Sequence, residues 1–229
     1  MQAPLAAPAF LNSVPKCGTQ LLRNIMRMFV PVEQQYHRAF IQLPLLGQHQ
    51  DAFARERPTL SRGHLLFTDD SAMSLTHVHH VVLMRDPYDW VLARARFFLS
   101  DAFKGPVDHL KTGRASVEEV LNMMILGIHD KVPHMQEIFL HNAVGWLGTK
   151  ARVVHYENLV RHLSQLKSAE AEVFSRLAPV LRHQDAACRL ARTCHHRLGS
   201  QTVRHGSRES QQDRTRRARR AAADAAAPG

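Results

Sequence analysis

The sequence predicts an α/β fold: a three-layer sandwich with a mostly parallel central sheet and a P-loop-like strand–loop–helix near its start. Three observations carry that expectation. Short apolar runs near 10–14, 77–84 and 151–155 alternate with segments of helical apolar spacing, which implies parallel crossovers. Within the second run, Val81-Val82-Leu83-Met84 is continuously apolar, as an interior parallel strand is. Finally, Pro15-Lys16-Cys17-Gly18-Thr19 joins the first run to a helix, the arrangement that exposes helix amides to an anion.

Taken in order, Phe10 to Val14 reads as a buried first strand ended by Pro15. A helix follows, with Leu21, Leu22, Ile25, Met26 and Phe29 on one face and Arg23, Asn24 and Arg27 on the other. Residues 43–47 are expected to hold a short strand, and 64–67 a second strand or its exit. The strand over 77–84 ends at Arg85; Asp86 then reads as an N-cap, Pro87 as the first helical residue and Asp89 as a first-turn acid. That helix carries Trp90, Val91, Ala95, Phe97 and Phe98 inward. Ser116 and Glu119 form a capping box ahead of Val120, Leu121, Met124 and Ile128. Pro133 opens a helix with Met135, Ile138, Phe139 and Trp146 inward. A strand is expected over 151–155 and a helix over 169–181. This gives one domain over 1–206. From 207 to 229 arginine and alanine crowd together with no large apolar residues, the composition of a disordered basic tail.

The chain has 229 residues, 45% of them hydrophobic, enough for one core. Its net charge of +10 favours anionic partners without choosing among phosphates, nucleic acid and acidic surfaces. The 3 cysteines, Cys17, Cys188 and Cys194, are too few and too scattered for a disulfide framework, so a reducing, cytoplasmic setting is expected. No apolar run reaches a membrane span. The 16 histidines include His77, His79 and His80, and a Cys194-His195-His196 group; neither has the ligand spacing of a zinc site, and no metal is expected.

Three segments can carry chemistry. At residues 15–20, a glycine that admits close backbone approach, a lysine and a threonine sit at a helix start, which suits a phosphate; an ordinary turn with a solvent lysine is the alternative. The spacing is not that of a nucleotide triphosphatase loop or a small nucleotide kinase. At 83–90, Asp86 and Asp89 already occupy the positive helix end, so an anion would be gripped by Arg85, unless Arg85 simply pairs with those acids. At 153–159 a strand ends at Tyr156-Glu157-Asn158-Leu159, a cavity residue or a structural tyrosine at a sheet rim.

Together these three segments resemble the sulfotransferases that use 3′-phosphoadenosine 5′-phosphosulfate (PAPS). That family has Pro-Lys-Ser-Gly-Thr-Thr after its first strand, Arg-Asp-Pro-x-Asp after a later one, and then Tyr-Glu-Asp/Asn-Leu; order and rough spacing match over residues 10–182. The resemblance implies that Lys16 and the amides of Cys17, Gly18, Thr19 and Gln20 hold the 5′-phosphosulfate. It further implies that Arg85 is a 3′-phosphate ligand and that Tyr156 lines the nucleotide pocket. Arg62-Gly63-His64-Leu65-Leu66 resembles the family's general-base segment, which makes His64 the base and Lys16 its catalytic partner at the leaving phosphate. Arg204 and Gly206 resemble the start of the family's late phosphate loop. Some positions depart from the pattern. Cys17 replaces a serine; Gln20 and Leu21 replace a threonine and an adenine-stacking aromatic. Ala93 replaces a phosphate-binding serine and Glu209 a glycine.

The implied activity is in-line transfer of a sulfuryl group from PAPS to an acceptor hydroxyl or amine, with no metal. Residues 31–60 and 100–115 are the expected acceptor walls. A catalytically impaired relative, motivated by Ala93 and Glu209, and a nucleic-acid-binding protein, motivated by the basic tail, are the alternatives.

Overall fold

The computed structural model describes residues 2, 4–105 and 107–164. The helix expected over 169–181, Cys188, Cys194, Arg204, Gly206, Glu209 and the basic tail lie outside the described residues.

Four strands, β1 (Ala9–Ser13), β2 (Leu60–Gly63), β3 (His79–Met84) and β4 (Arg152–His155), pair in parallel in the order β2-β1-β3-β4. Among the described residues the α-helices are α1 (Thr19–Arg27), α2 (Asp69–Ser74), α3 (Pro87–Phe98), α4 (Val117–Leu126), α5 (Met135–Asn142) and α6 (Tyr156–Ser164). Every residue of β1 is buried, as a central strand covered on both faces must be. On one face Phe10 meets Phe53 edge-on at 5.5 Å and lies 5.7 Å from His80, which in turn meets Trp146 at 4.5 Å. On the other face Leu11 lies under the arginines of α1. The sheet is therefore the middle of three layers, as expected.

Local chemistry explains most boundaries. Asp86 caps α3 by accepting from the amides of Tyr88 and Asp89, with Pro87 as first residue. Ser116 and Glu119 form the expected capping box of α4. The short helix α2, which has no clear apolar stripe, is started by a second box between Thr68 and Ser71.

Three expectations are corrected, and one alternative is decided. Residues 43–47 lie in a 3-10 segment, Leu43–Phe53, because Pro44 takes a place in its first turn and removes an amide a strand would need. Of the two readings of residues 64–67, the structure gives the exit of β2, which ends at Gly63. Ile128 lies beyond α4, which stops at Gly127 with φ 76°, a left-handed conformation that suits glycine. Trp146 is not on the same helix as Ile138; α5 ends at Asn142 and a separate turn, Val144–Gly148, carries the indole into the core.

Gly63 sets the site's outer edge. A Cβ there would stand 1.9 Å from the carbonyl oxygen of Ile41, whose segment bridges to β2 at that point. Gly63→Ala is expected to cost about 3 kcal/mol, the upper end of overpacking. Urea unfolding checks this, and an unchanged midpoint contradicts the close approach.

Candidate active site

The carboxyl ends of β1, β2 and β3 meet where an open parallel sheet places its ligand crevice. The turn after β1 is tight: the Cys17 amide donates to the Val14 carbonyl at 3.2 Å. Lys16 sits at φ 68° and Gly18 at φ 93°, both in the left-handed region. For Lys16 this is a local cost, of about 1 kcal/mol, that the surroundings must offset. They do so through Trp90 of α3, whose Nε1–H donates to the Pro15 carbonyl at 2.5 Å. No side chain caps α1. Its amides at Leu21 and Leu22 both donate to the Gly18 carbonyl, while those of Gly18, Thr19 and Gln20 have no acceptor among the described residues. Open N–H groups at a positive helix end are an arrangement that suits an anion.

The side chains of the turn divide. The Lys16 ammonium lies 2.9 Å from the Phe97 ring centroid, and partial burial lowers its pKa. Cys17 is a buried free thiol whose pKa burial pushes up, against the opposing charge of Arg85, so it is unreactive. The Thr19 hydroxyl turns inward to the Ser13 hydroxyl at 2.6 Å, while Gln20 stays exposed. A Cβ on Gly18 would meet the Tyr156 ring at 2.5 Å, so its bareness admits an aromatic ring as well as a left-handed turn.

His64 follows β2 directly. Its Nδ1 lies 2.8 Å from the Ser13 carbonyl and 3.1 Å from the Ser13 hydroxyl. A carbonyl can only accept, so in the neutral ring Nδ1 carries the proton and Nε2 keeps its lone pair. Phe40 meets the ring edge-on at 4.6 Å. Burial, reinforced by the Lys16 charge and opposed by the Ser13 carbonyl, brings the His64 pKa down to about 4. Its basicity is thus below the ordinary histidine value near 6.5 that the sequence implies.

Arg85 and Tyr156 stand on the other side of the turn. The guanidinium lies 4.5 Å from the Tyr156 ring centroid. Its ion pairs are long, 4.0 Å to Asp89 and 3.9 Å to Glu157, and its Nε is buried without a hydrogen-bond partner. Glu157 instead accepts from the Asp86 amide at 3.0 Å, tying α6 to the start of α3.

A cavity of about 460 Å³ opens beside Lys16 and His64. Trp90, Phe97, Phe98 and Phe103 supply its aromatic walls, and Gln42, Leu43 and Pro44 bring part of the expected 31–60 wall. Buried Arg94 also borders it. Its guanidinium donates to the carbonyls of Met124 and Pro133 and stacks 4.9 Å from Trp90, while burial lowers its pKa to about 10.

Sequence reasoning passed over four of these participants. Ser13, Trp90 as a loop anchor and Phe97 as the seat of Lys16 depend on partners distant in sequence. Arg94 left a signal: it falls four residues after Trp90 and four before Phe98, on the buried stripe.

Among the described residues, no group of three His, Cys, Asp or Glu is placed to hold a metal ion, and no helix is long and apolar enough to cross a membrane. No protein-family model matches the sequence, and no curated protein matches it. Among solved structures, the chain is similar to mouse sulfotransferase SULT7A1 complexed with PAP. The TM-score is 0.56 at 13% identity, covering 85% of this chain and 66% of that one. The chain therefore has the sulfotransferase fold and spans just under two thirds of that protein's length.

Burial of His64 and of His80, whose pKa falls to about 3, makes stability pH-dependent. Both values lie below the unfolded 6.5, so the unfolded chain binds more protons in between. Their contribution is complete above pH 6.5 and is lost as pH falls, by up to about 1.4 kcal/mol per pH unit for each ring. Urea unfolding at pH 7, 6 and 5 should show the decline, and His64→Gln should reduce its slope. A flat profile excludes the burial-driven shift.

Proposed function

We propose that this chain moves a sulfuryl group from PAPS to a hydroxyl or amine of an acceptor bound in the aromatic cavity. The observation that carries this reading is the convergence, on one end of a sulfotransferase-fold sheet, of three features. They are an open set of helix amides beside Lys16, a histidine fixed with its Nε2 lone pair free, and an adjoining apolar cavity. The similarity to a sulfotransferase complexed with PAP supports the choice of donor.

The residues fit an adenosine ligand phosphorylated at two positions. The amides of Gly18, Thr19 and Gln20 with Lys16 face the 5′ anion, and Arg85, with an unpartnered Nε against Tyr156, faces the 3′-phosphate. Arg204 and Gly206 are proposed to complete that second contact, as the family resemblance implies. When bound, the donor supplies the sulfuryl group, whose bond to the 5′-phosphate oxygen breaks as the acceptor oxygen or nitrogen bonds to sulfur.

The protein's part is positioning and charge. His64 Nε2 takes the acceptor's proton, held in orientation by Ser13 at Nδ1. Lys16 neutralises negative charge on the leaving phosphate; its seat over Phe97 keeps it at the cavity side of the loop. An anion at the loop also offsets the Lys16 repulsion that depresses His64, which makes the ring a better base when the site is loaded. The cavity walls, mostly aromatic and aliphatic, favour an acceptor with an apolar body.

Thermal melting tests donor binding. PAP at a hundred times its Kd adds about 2.7 kcal/mol of stability, and ATP at the same concentration should add far less. Lys16→Ala and Arg85→Ala are each expected to weaken PAP binding at least tenfold, an effect of about 1.4 kcal/mol or more. Unchanged titrations remove them from the site. His64→Ala should abolish transfer while leaving the PAP melting shift intact, and surviving turnover contradicts its role as base.

A further inference from the structure

The outer edge of the sheet carries a charge arrangement that transfer does not use. Arg23 and Arg27 stand one turn apart on α1 and Arg62 rises from β2. All three line one notch, together with Gln35 and His37. Among the described residues no carboxylate lies within ion-pair distance of any of them, although Arg38, Arg85 and Lys111 each have an acid nearby. Their contacts are neutral. Arg23 Nη1 donates to Gln20 Oε1 at 3.2 Å, Arg27 Nε donates to Gln35 Oε1, and the Arg62 guanidinium lies 5.9 Å from the Phe40 ring centroid. The Nε groups of Arg23 and Arg62 are buried and have no partner. Burial first, and then mutual repulsion, lowers the pKa of Arg23 and of Arg62, and the same three charges contribute to lowering that of His37.

Three like charges around one notch, two with an unsatisfied donor, are an arrangement that a counter-anion completes. We propose that Arg23, Arg27 and Arg62 form an oxyanion site, for a phosphate, sulfate or carboxylate group, separate from the cradle at Lys16. The notch itself, of about 10 Å³, holds at most one water, so the anion seats across its mouth between the guanidinium forks. Gln35 is held in place beneath, donating to the carbonyls of Val30 and Arg27 at 2.8 and 3.2 Å. Phe40 separates Arg62 from His64, with its ring 4.6 Å from the imidazole. An anionic group seated here therefore stands one aromatic ring away from the cavity. The site takes either a free oxyanion or the anionic end of a larger molecule lying along Phe40.

Calorimetric titration of the full chain with inorganic phosphate at low ionic strength tests the site. The double variant Arg23→Gln/Arg62→Gln should weaken one phosphate-binding event at least tenfold, as loss of charge-assisted contacts does. The double variant Lys16→Ala/Arg85→Ala should leave that event unchanged. Arg62→Lys, which keeps the charge and loses the fork, should fall between and guards against misfolding of the glutamine variant; cooperative melting of each variant is the control. Wild-type-like titration of Arg23→Gln/Arg62→Gln, or loss of all phosphate binding in Lys16→Ala/Arg85→Ala, overturns the proposal. Phenyl phosphate distinguishes the sources: tenfold tighter binding than inorganic phosphate assigns an aromatic-borne anion over Phe40, and equal binding assigns a free ion. Neither result depends on PAP, so failure here and failure of the sulfuryl-transfer reading are separable.

Discussion

Ser13, the last residue of β1, ties the site together. Its hydroxyl joins Thr19 at the start of α1, and its carbonyl accepts a hydrogen bond from the Nδ1–H of His64, just past the end of β2. Two bonds from one buried residue thus set the turn at Lys16–Thr19 and the His64 ring at a fixed separation. The turn between them is held from a third direction by the Trp90 indole on the Pro15 carbonyl. Because β1 is central and buried along its whole length, the anchor does not move with a surface loop. Buried hydrogen-bond networks of this kind are costly to leave half made, which is why they specify a single arrangement.

The charges around that anchor fall into distinct states, and their surroundings decide their use. Arg94 is sealed into the core by carbonyls and aromatic rings, so it is structural although it borders the cavity. Lys16 is half-buried over Phe97, close enough to His64 to depress its basicity. Arg85 is only loosely balanced by Asp89 and Glu157, whose better hydrogen-bonding roles are elsewhere, or in solvent. Arg23, Arg27 and Arg62 have no acid among the described residues. A net charge of +10 is consistent with all of these, which shows how little the total says about any one group.

Caps and turns were the most legible features. Asp86-Pro87 and Ser116 with Glu119 start helices by local hydrogen bonds, so their sequence signatures suffice. The strand over 79–84 was legible for a related reason: an apolar run of that length, buried on both sides, has few other places to go. Residues 43–53 were not legible, because their 3-10 turns follow the face of the sheet they cover rather than any period of their own.

What the sequence determined by itself was therefore local: the strand–loop–helix at Pro15 to Thr19, the capped start of α3, and the alternation that makes the sheet parallel; it offered His64, Lys16 and Arg85 only as candidates. Only the tertiary structure decided what surrounds those groups. The tautomer of His64 comes from a carbonyl 51 residues away in sequence, and its lowered basicity from burial. The bareness of Gly18 is matched to Tyr156, and the isolation of Arg23, Arg27 and Arg62 depends on which acids the fold leaves out of reach. Desolvation and ion pairing depend on distances through space, and the fold sets those distances by bringing remote segments together.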